Sequence, residues 1–325
     1  MDDEATSLED LALKRAGTAR ERHALLAAEL YGAPRGLVTD AERSLLAGMI
    51  AGLVGRLAAR IDAAAGGDDE AMVERLRRVG ILSDPELVGA AYHRMLEFDL
   101  ERRAATNELV PGLAAGQEME VVHAVTEYRV WCAGRLDGYG NPVLDDGGVP
   151  LPALTRLFWA VTAARGLADP AREDVIEAAA IGEIAALHDA SPAAPESAAR
   201  HLVEAGVAGP ASLAAFITAG EVALAEAVLA HLAHIPIELV RRFLFEPGGE
   251  TLAIAAKSAA LDRPALVALI AAGRGARARD AECPAALALF DRLDAETAAR
   301  VLVRLARHPD YSAAVRRLEG SRPPW

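Results

Sequence analysis

Residues Glu127–Ala164, EYRVWCAGRLDGYGNPVLDDGGVPLPALTRLFWAVTAA, decide how the chain divides into helices. From Asp137 to Pro152 this stretch is the longest run of turn-forming residues in the chain, and alanine-rich sequence that favours helix lies on both sides. The stretch is also rich in aromatic side chains, although the whole chain is only 4% aromatic. These side chains are Tyr128, Trp131, Tyr139, Phe158 and Trp159. We therefore predict a turn-rich elbow at residues 137–152, with a helix on each side.

Composition indicates an all-α protein. The hydrophobic fraction is 52%, much of it is alanine, and the alternation of Val, Ile, Thr and Tyr that is typical of strands is nearly absent. At 325 residues the chain is long enough for two domains or for one elongated array of repeats. Few aromatic and many small side chains favour thin stacked helices. We therefore predict an irregular HEAT-like α-solenoid built of stacked antiparallel helix pairs.

Four capping-box patterns mark predicted helix starts. In each, a Ser or Thr is followed three residues later by Asp or Glu, so the hydroxyl can accept a backbone N–H and the acid can return the bond. The pairs are Ser7 with Asp10, Thr18 with Glu21, Thr39 with Glu42, and Ser83 with Glu86. They predict helices near residues 7–16, 18–31, 39–65 and 83–103.

The C-terminal part of the sequence carries weak internal repetition. The segments Leu202–Gly206, Phe216–Gly220 and Leu269–Gly273 each place apolar and small residues before a glycine suited to a helix C-terminus. Their spacings of 14 and 53 residues are not a fixed period, which argues against ankyrin and tetratricopeptide arrays. Irregular two-helix units, which must stack to bury their apolar faces, are the better match.

Charge and a linker place the predicted domain boundary near residue 191. Residues 1–190 carry 19 basic and 32 acidic side chains, whereas residues 191–325 carry 15 of each. The proline-containing linker Ser191–Pro195 lies where this balance changes. We predict an acidic N-terminal helical domain over 1–190, which contains the elbow, and a C-terminal helical-repeat domain over 191–325. The acidic half would repel phosphate, which argues against nucleic-acid binding there.

Cysteine usage and hydropathy predict a cytoplasmic protein without a membrane span. Cys132 and Cys283 are far apart and form neither a disulfide framework nor a zinc pattern. The N-terminal sequence MDDEATSLED lacks the basic and apolar regions of a signal peptide. No uncharged apolar run reaches the length of about 18 residues that a transmembrane helix needs.

Arginines near the C-terminus are the clearest candidates for binding an anion or a partner. Arg300, Arg304 and Arg307 recur at helical spacing. A second basic cluster lies upstream and consists of Arg274, Arg277 and Arg279. These faces could dock on another protein or on a nucleic-acid backbone. The alternative is a solvated helix face, because neighbouring acidic side chains balance most of this charge.

Side chains beside the elbow form a candidate ligand pocket. Tyr128, Trp131 and Arg135 share one face of the helix before the elbow, and Trp159 lies on the helix after it. The alternative is that these aromatic side chains pack the two helices together and pin the elbow.

Two further motifs favour structure over chemistry. His231 and His234 share a helix face, but a zinc site needs three or four ligands, and positive character is favourable near a helix C-terminus. The turn Glu246–Glu250 precedes a helix whose N–H groups could hold an anion, but its two carboxylates disfavour phosphate. We therefore predict no catalytic residue, no metal and no cofactor.

Three segments consist of recognisable helix-turn patterns, namely Ala19–Ile61, Gly138–Ala164 and Ile235–Leu261. Together they resemble an alphaproteobacterial family of unknown function, and the resemblance spans most of the chain. It implies an all-helical fold of HEAT-like character. It implies no catalytic residue.

The sequence as a whole predicts a non-enzymatic scaffold or adaptor that presents a helical-repeat surface to another protein. The basis is an extended helical surface without a chemical signature, which is an argument from fold. Two alternatives stay open. One is nucleic-acid binding through the C-terminal arginine faces, and the other is small-molecule sensing through the aromatic side chains of the elbow.

Overall fold

The computed structural model describes residues 2–62, 69–104, 109–189, 192–246, 248–274, 283–307 and 311. Over these ranges the chain is helical, and its only strand-like pairing is one antiparallel bridge between Leu136 and Pro142. The prediction of an all-α protein is therefore confirmed. The α-helices are α1 (Asp2–Leu30), α2 (Asp40–Ile61), α3 (Asp69–Arg78), α4 (Pro85–Arg103), α5 (Leu109–Ala114), α6 (Met119–Ala133), α7 (Leu151–Ala168), α8 (Glu173–His188), α9 (Ala194–Glu204), α10 (Leu213–Thr218), α11 (Val222–Ala233), α12 (Ile237–Leu244), α13 (Glu250–Ser258), α14 (Arg263–Arg274), α15 (Cys283–Arg292) and α16 (Ala295–Leu305).

The chain forms two compact units, each assembled from separate stretches of sequence. The elbow unit consists of Thr18–Asp99 and His123–Ser197. The C-terminal unit consists of Met1–Gly17, Leu100–Val122 and Ala198–Trp325. The last change of unit thus falls a few residues beyond the boundary predicted at residue 191. Each predicted domain is one continuous stretch of sequence. A linker signal is local, so it does not show which distant helices pack together.

Helix α2 lies at the centre of the elbow unit's core. Its buried side chains recur at the i, i+3, i+4 and i+7 spacing that gives a helix one apolar face, and they pack among α3, α7 and α8. Ile50, Leu53 and Leu57 are fully buried, as is Phe158 of α7. Each such side chain contributes about 1.5–3 kcal/mol through removal of its apolar surface from water.

One predicted capping box forms in full and fixes the start of α2. Thr39 Oγ1 accepts the backbone N–H of Glu42 at 3.3 Å, and the Glu42 carboxylate accepts the backbone N–H of Thr39 at 2.8 Å. Ser83 is not the cap of α4. The carboxylate of Asp84 takes that role and accepts the backbone N–H of Glu86 at 2.8 Å.

The predicted break between helices 7–16 and 18–31 is wrong, because α1 continues through Ser7 and Thr18. A single glycine, Gly17, lies at the predicted break. Glycine inside a helix costs only about 1 kcal/mol relative to alanine. The surrounding alanine, leucine and arginine residues favour helix strongly enough to bridge it, so the capping pattern at Thr18 is not used.

Helix α13 lies at the centre of the C-terminal unit. Its residues Leu252–Ala256 are all buried, and it packs against α11, α12, α14, α15 and α16. Its first residue, Glu250, accepts a hydrogen bond from Arg15 of α1 at 2.5 Å. This contact joins residues that are 235 positions apart in the sequence.

Helix α2 is long and apolar enough to cross a membrane by length and composition, with a hydropathy of 1.5 over an 18-residue window. Helices α11 and α12 would pass the same test together, although they are bent by 118°. The core helix of a soluble protein also passes this test. Because α2 supplies the central core residues of the elbow unit, its apolar character has a structural explanation in this chain.

Candidate functional site

The elbow is a short hairpin organised by one carboxylate. Asp137 Oδ1 accepts the backbone N–H groups of Tyr139 and Asn141, each at 2.8 Å, and these bonds lower the pKa of Asp137. The backbone N–H of Val143 donates to the carbonyl of Arg135 at 2.8 Å and closes the base of the hairpin. Tyr139 at its tip is 94% exposed. The predicted turn-rich connection is therefore present, and an Asx-type turn explains its aspartate.

A buried ion network holds the elbow against α4. Arg135 donates to the Glu97 carboxylate, and Arg94 donates to the backbone carbonyls of Arg135 and Val143, each at 3.3 Å. Burial alone would raise the pKa of Glu97, but Arg135, His93 and Arg94 hold it well below its usual value. The Glu97 carboxylate therefore stays ionised, and its negative charge is paired with the buried side chains of Arg94 and Arg135.

The structure brings together three of the four residues of the predicted aromatic pocket. The rings of Tyr128 and Trp131 stack with centroids 6.1 Å apart, and the guanidinium of Arg135 lies 4.4 Å from the Trp131 ring centroid. Tyr128 and Arg135 are buried, and their contacts are with the protein itself. Trp159 is 41% exposed on α7, while the adjacent Phe158 is fully buried. These placements match a structural role for Tyr128, Trp131 and Arg135.

The predicted basic face on α16 is largely engaged within the chain. Arg300 donates to Glu296 at 3.1 Å, and Arg304 donates to Glu9 of α1 at 3.3 Å. Arg307 stacks on a tyrosine ring, with 5.8 Å from its guanidinium carbon to the centroid. Of the second predicted cluster, Arg274 is the last residue of α14, and Arg277 and Arg279 lie outside the described residues.

Two other motifs from the sequence make local contacts within the chain. His234 caps the C-terminus of α11 in the left-handed conformation, with φ 54°. Glu246 is buried and accepts a hydrogen bond from the Thr251 hydroxyl at 2.9 Å. Burial raises the pKa of Glu246 to about 7, even though Arg242 and Arg15 favour its charged form.

A groove of about 420 Å³ runs between α2 and the elbow. Its floor is an exposed stripe of small residues on α2, and one of its walls is the elbow hairpin. The lining residues are Ala41, Ser44, Leu45, Gly48, Met49, Gly52, Arg56, Asp137, Asn141, Pro142 and Val143. The volume lies within the range of small-molecule sites. Four of the lining side chains are polar or charged, so the groove combines apolar surface with a few groups that could orient a ligand.

Helix α8 is apolar on its outer face as well as on its inner face. Ile176 and Ala180 are buried against the core, which accounts for the inner face. On the outer face Val175 is 62% exposed and Ile181 is 53% exposed. Ala178, Gly182 and Ala185 are also exposed there. Exposed apolar side chains that cluster on one helix face are typical of an interaction surface, so this face is the second candidate site.

A family model matches part of the chain. Residues 149–303 match a bacterial family. Its description is "Uncharacterised protein conserved in bacteria (DUF2336)", and the match supports the resemblance to a family of unknown function. No curated protein matches the chain, and no solved structure matches it. The matched residues begin at the end of the elbow, so they include α7 and α8 but not α2.

The sequence carried a signal for both candidate sites, but neither was predicted from it. Ser44, Gly48 and Gly52 recur every four residues, a pattern that leaves one helix face open to close approach. The α8 sequence, EDVIEAAAIGEIAALH, lacks a polar face after its first turn. Neither pattern can be interpreted without tertiary structure, because small or apolar residues on a helix are most often covered by the rest of the chain.

Proposed function

We propose that the protein is a non-enzymatic scaffold whose partner docks on the outer face of α8. The observation that carries the proposal is the exposed apolar face of Val175, Ala178, Ile181, Gly182 and Ala185. Exposed apolar side chains are common when they occur singly, but a row of them on one helix face is typical of an interaction surface. Covering this face would remove apolar area from water at about 25 cal/mol per Å².

The charge around this face favours a basic partner. Glu173, Asp174 and Glu177 in the first half of α8 are all exposed. An amphipathic helix with apolar anchors and flanking Lys or Arg would place its anchors on Ile181 and its charges near these carboxylates. Such rim charges contribute mainly to orientation and to the rate of association. The helix α7, which packs against α8, also exposes Trp159 and Leu167.

The proposed architecture of the C-terminal unit is an irregular HEAT-like stack of helix pairs. In support, α11 packs against α13, α13 against α15, and α12 against α14, and stacked helix pairs would also place next-but-one helices in contact. Helix α10 also reaches α14, a contact that makes the stack less regular than a repeat array. Such a fold suggests a scaffold role only by analogy with other helical proteins. The main support for the scaffold role is therefore the exposed docking face on α8.

Capture of partners from the native cell tests the docking face. The substitution Ile181→Lys adds positive charge to an exposed apolar position and leaves the core intact. Val79→Lys is the matched control, because Val79 is also an exposed aliphatic side chain of the elbow unit, at 68%. We expect one stoichiometric basic partner with the wild type and with Val79→Lys, and at least about tenfold less of it with Ile181→Lys, as for loss of a central interface residue.

Two results would overturn the docking proposal. One is equal capture by both variants, which would place the interface elsewhere. The other is a wild-type mass of two chains in light scattering that returns to one chain in Ile181→Lys. That outcome would assign the face to a second copy of this chain instead of a basic partner.

A further inference from the structure

We propose that the partner is a basic amphipathic helix that lies along the seam between α7 and α8, with its apolar anchor against Trp159. This rests on the docking face of α8 proposed above and adds α7 as a second contact surface. The supporting observations are the position of Trp159 on α7, the position of Ile181 on α8, and the ion pairs of the arginines around them.

Helices α7 and α8 form an antiparallel pair. They pack against each other, and only the short turn at residues 169–172 joins them. The two helices come close at Gly166 of α7, where an added Cβ would lie 3.2 Å from Cγ of Glu173 on α8. Gly166 and Glu173 therefore mark the side on which each helix faces the other.

Trp159 lies on the edge of α7 that is next to α8. It precedes Gly166 by seven residues, and residues seven apart lie on the same side of a helix. Its side chain is 41% exposed, so it is shared between the packed helix pair and solvent. Trp159 is thus available at the seam to a helix that docks there.

Ile181 has the matching position on α8. It lies two steps of four residues beyond Glu173, and each such step moves about 40° around the helix, toward its exposed side. Its side chain is 53% exposed. At a rise of 1.5 Å per residue, Ile181 is about 12 Å from Glu173, and Trp159 is about 10 Å from Gly166. The two side chains are therefore at nearly the same height in the antiparallel pair.

The seam carries negative charge that the described residues do not pair. Helix α8 contains no Lys or Arg, and the exposed Glu173, Asp174 and Glu177 form no ion pair among the described residues. Negative charge in the first turn stabilises a helix, which explains Glu173 and Asp174 but not Glu177. Glu177 lies one turn before Ile181, so a carboxylate stands beside the apolar anchor point.

The arginines of the helix pair do not compensate this charge. Each of the three is engaged by carboxylates from other parts of the elbow unit, namely Arg156 by Asp84 and Glu86, Arg165 by Asp69, and Arg172 by Asp62. Charge complementarity therefore favours a partner that brings its own Lys or Arg side chains.

Trp159 is the residue of this surface that should contribute most to binding. Tryptophan is enriched among the residues that dominate interface energetics, because its large ring buries much area and loses little conformational freedom. A helix that rests on two packed helices contacts both of them, so an anchor on the seam meets Trp159 and Ile181 together.

Calorimetric titration with designed helices tests the class of partner. The probe is a synthetic helix of about 18 residues, long enough to be helical, with leucine on one face and lysine on the other. Its counterpart has glutamate in place of lysine. We expect saturable one-to-one binding of the lysine peptide and at least about tenfold weaker binding of the glutamate peptide. The tryptophan emission of the protein should shift to the blue, because Trp159 leaves water.

Variants locate the anchor. Trp159→Ala should weaken binding of the lysine peptide at least about tenfold, as for loss of an aromatic anchor. Trp159→Phe keeps a ring, so binding should persist while the blue shift disappears. Tyr139→Ala is the matched control, because Tyr139 is also an exposed aromatic residue of the elbow unit, at 94%, and belongs to the hairpin. It should leave both the affinity and the blue shift unchanged.

The outcomes separate the seam from the docking face itself. Equal binding by Trp159→Ala and the wild type, equal binding of the two peptides, or no saturable binding of the lysine peptide would overturn the seam. Capture of the native partner, and its loss in Ile181→Lys, would still support the docking face on α8. Circular dichroism confirms that each variant is folded before its titration is interpreted.

Discussion

Phe158 and Trp159 show how differently two adjacent aromatic residues are used. Phe158 is fully buried in the elbow unit and has the guanidinium of Arg60 5.2 Å from its ring centroid. Trp159 follows it on α7 but is 41% exposed. The sequence predicts that both pack the helices around the elbow, because both are large and aromatic. Only the direction in which each side chain points separates a core residue from a surface residue.

Alanine substitutions at these two positions should therefore differ in cost. We expect Phe158→Ala to lower the free energy of unfolding by about 3–5 kcal/mol, since it leaves a cavity in the core. Trp159→Ala should cost less than about 1.5 kcal/mol, because much of its ring already contacts water. Urea denaturation followed by circular dichroism measures both. Equal losses would contradict the assigned exposure of Trp159.

Ionisation of Glu246 makes the free energy of unfolding depend on pH in an unusual direction. Its pKa rises from 4.5 in the unfolded chain to about 7 in the folded one, so the folded state holds the proton more tightly. The contribution of Glu246 is therefore complete below about pH 4.5, is lost as the pH rises toward 7, and stays constant above that. This is the reverse of the behaviour of a salt-bridged carboxylate.

The substitution Glu246→Gln should stabilise the protein at pH 8 and not at pH 4. Glutamine keeps an acceptor for the Thr251 hydroxyl and removes the ionisation, which is worth up to roughly 3 kcal/mol at 1.36 kcal/mol per pKa unit. Denaturation midpoints at the two pH values measure the difference. The same gain at both would show that Glu246 does not titrate between them.

Helix α2 serves two purposes with opposite faces. Its inner face supplies the core of the elbow unit, and its outer face forms the floor of the groove. Glycine at Gly48 costs helix stability without relieving a contact, because an added Cβ would meet nothing within 4 Å. Gly89 of α4 differs, since a Cβ there would stand 2.5 Å from a ring atom of His23 on α1. Glycine is thus required at Gly89 and is not required at Gly48.

Glycine-to-alanine substitutions at these positions should have opposite signs. Gly48→Ala should raise the free energy of unfolding by about 0.5–1 kcal/mol through helix propensity. Gly89→Ala should lower it by about 1–3 kcal/mol, because the His23 ring must move. Thermal unfolding of the two variants beside the wild type is the measurement. Destabilisation by Gly48→Ala would mean that its space is already occupied.

At the scale of the whole molecule, two arginine contacts link α1 to helices far along the chain. Arg15 bonds Glu250 at the start of α13, and Arg304 of α16 bonds Glu9. The two pairs differ in burial, because Glu250 is only 7% exposed whereas both members of the second pair reach solvent. Loss of Arg15 leaves a buried carboxylate without its counter-charge, next to Glu246.

Replacement of Arg15 by alanine should therefore cost more than replacement of Arg304. We expect a loss of about 1–3 kcal/mol for Arg15→Ala, the cost of a buried group left without its partner. Arg304→Ala should lose less than about 1 kcal/mol, as for a surface ion pair. Chemical denaturation compares them directly. A larger loss for Arg304→Ala would contradict the burial assigned to Glu250.

The sequence by itself determined that the chain is helical, where the elbow turns and how α2 begins. These features depend on neighbours within a few residues: alanine propensity, the Asp137 turn, and the exchange of hydrogen bonds between Thr39 and Glu42. Tertiary structure alone decided that stretches far apart in sequence share one compact unit and that Arg135 pairs with Glu97. It also decided that the described residues leave the outer face of α8 exposed. The reason is that burial depends on which distant surface arrives at a helix face, and a local pattern records only that the face is apolar or small.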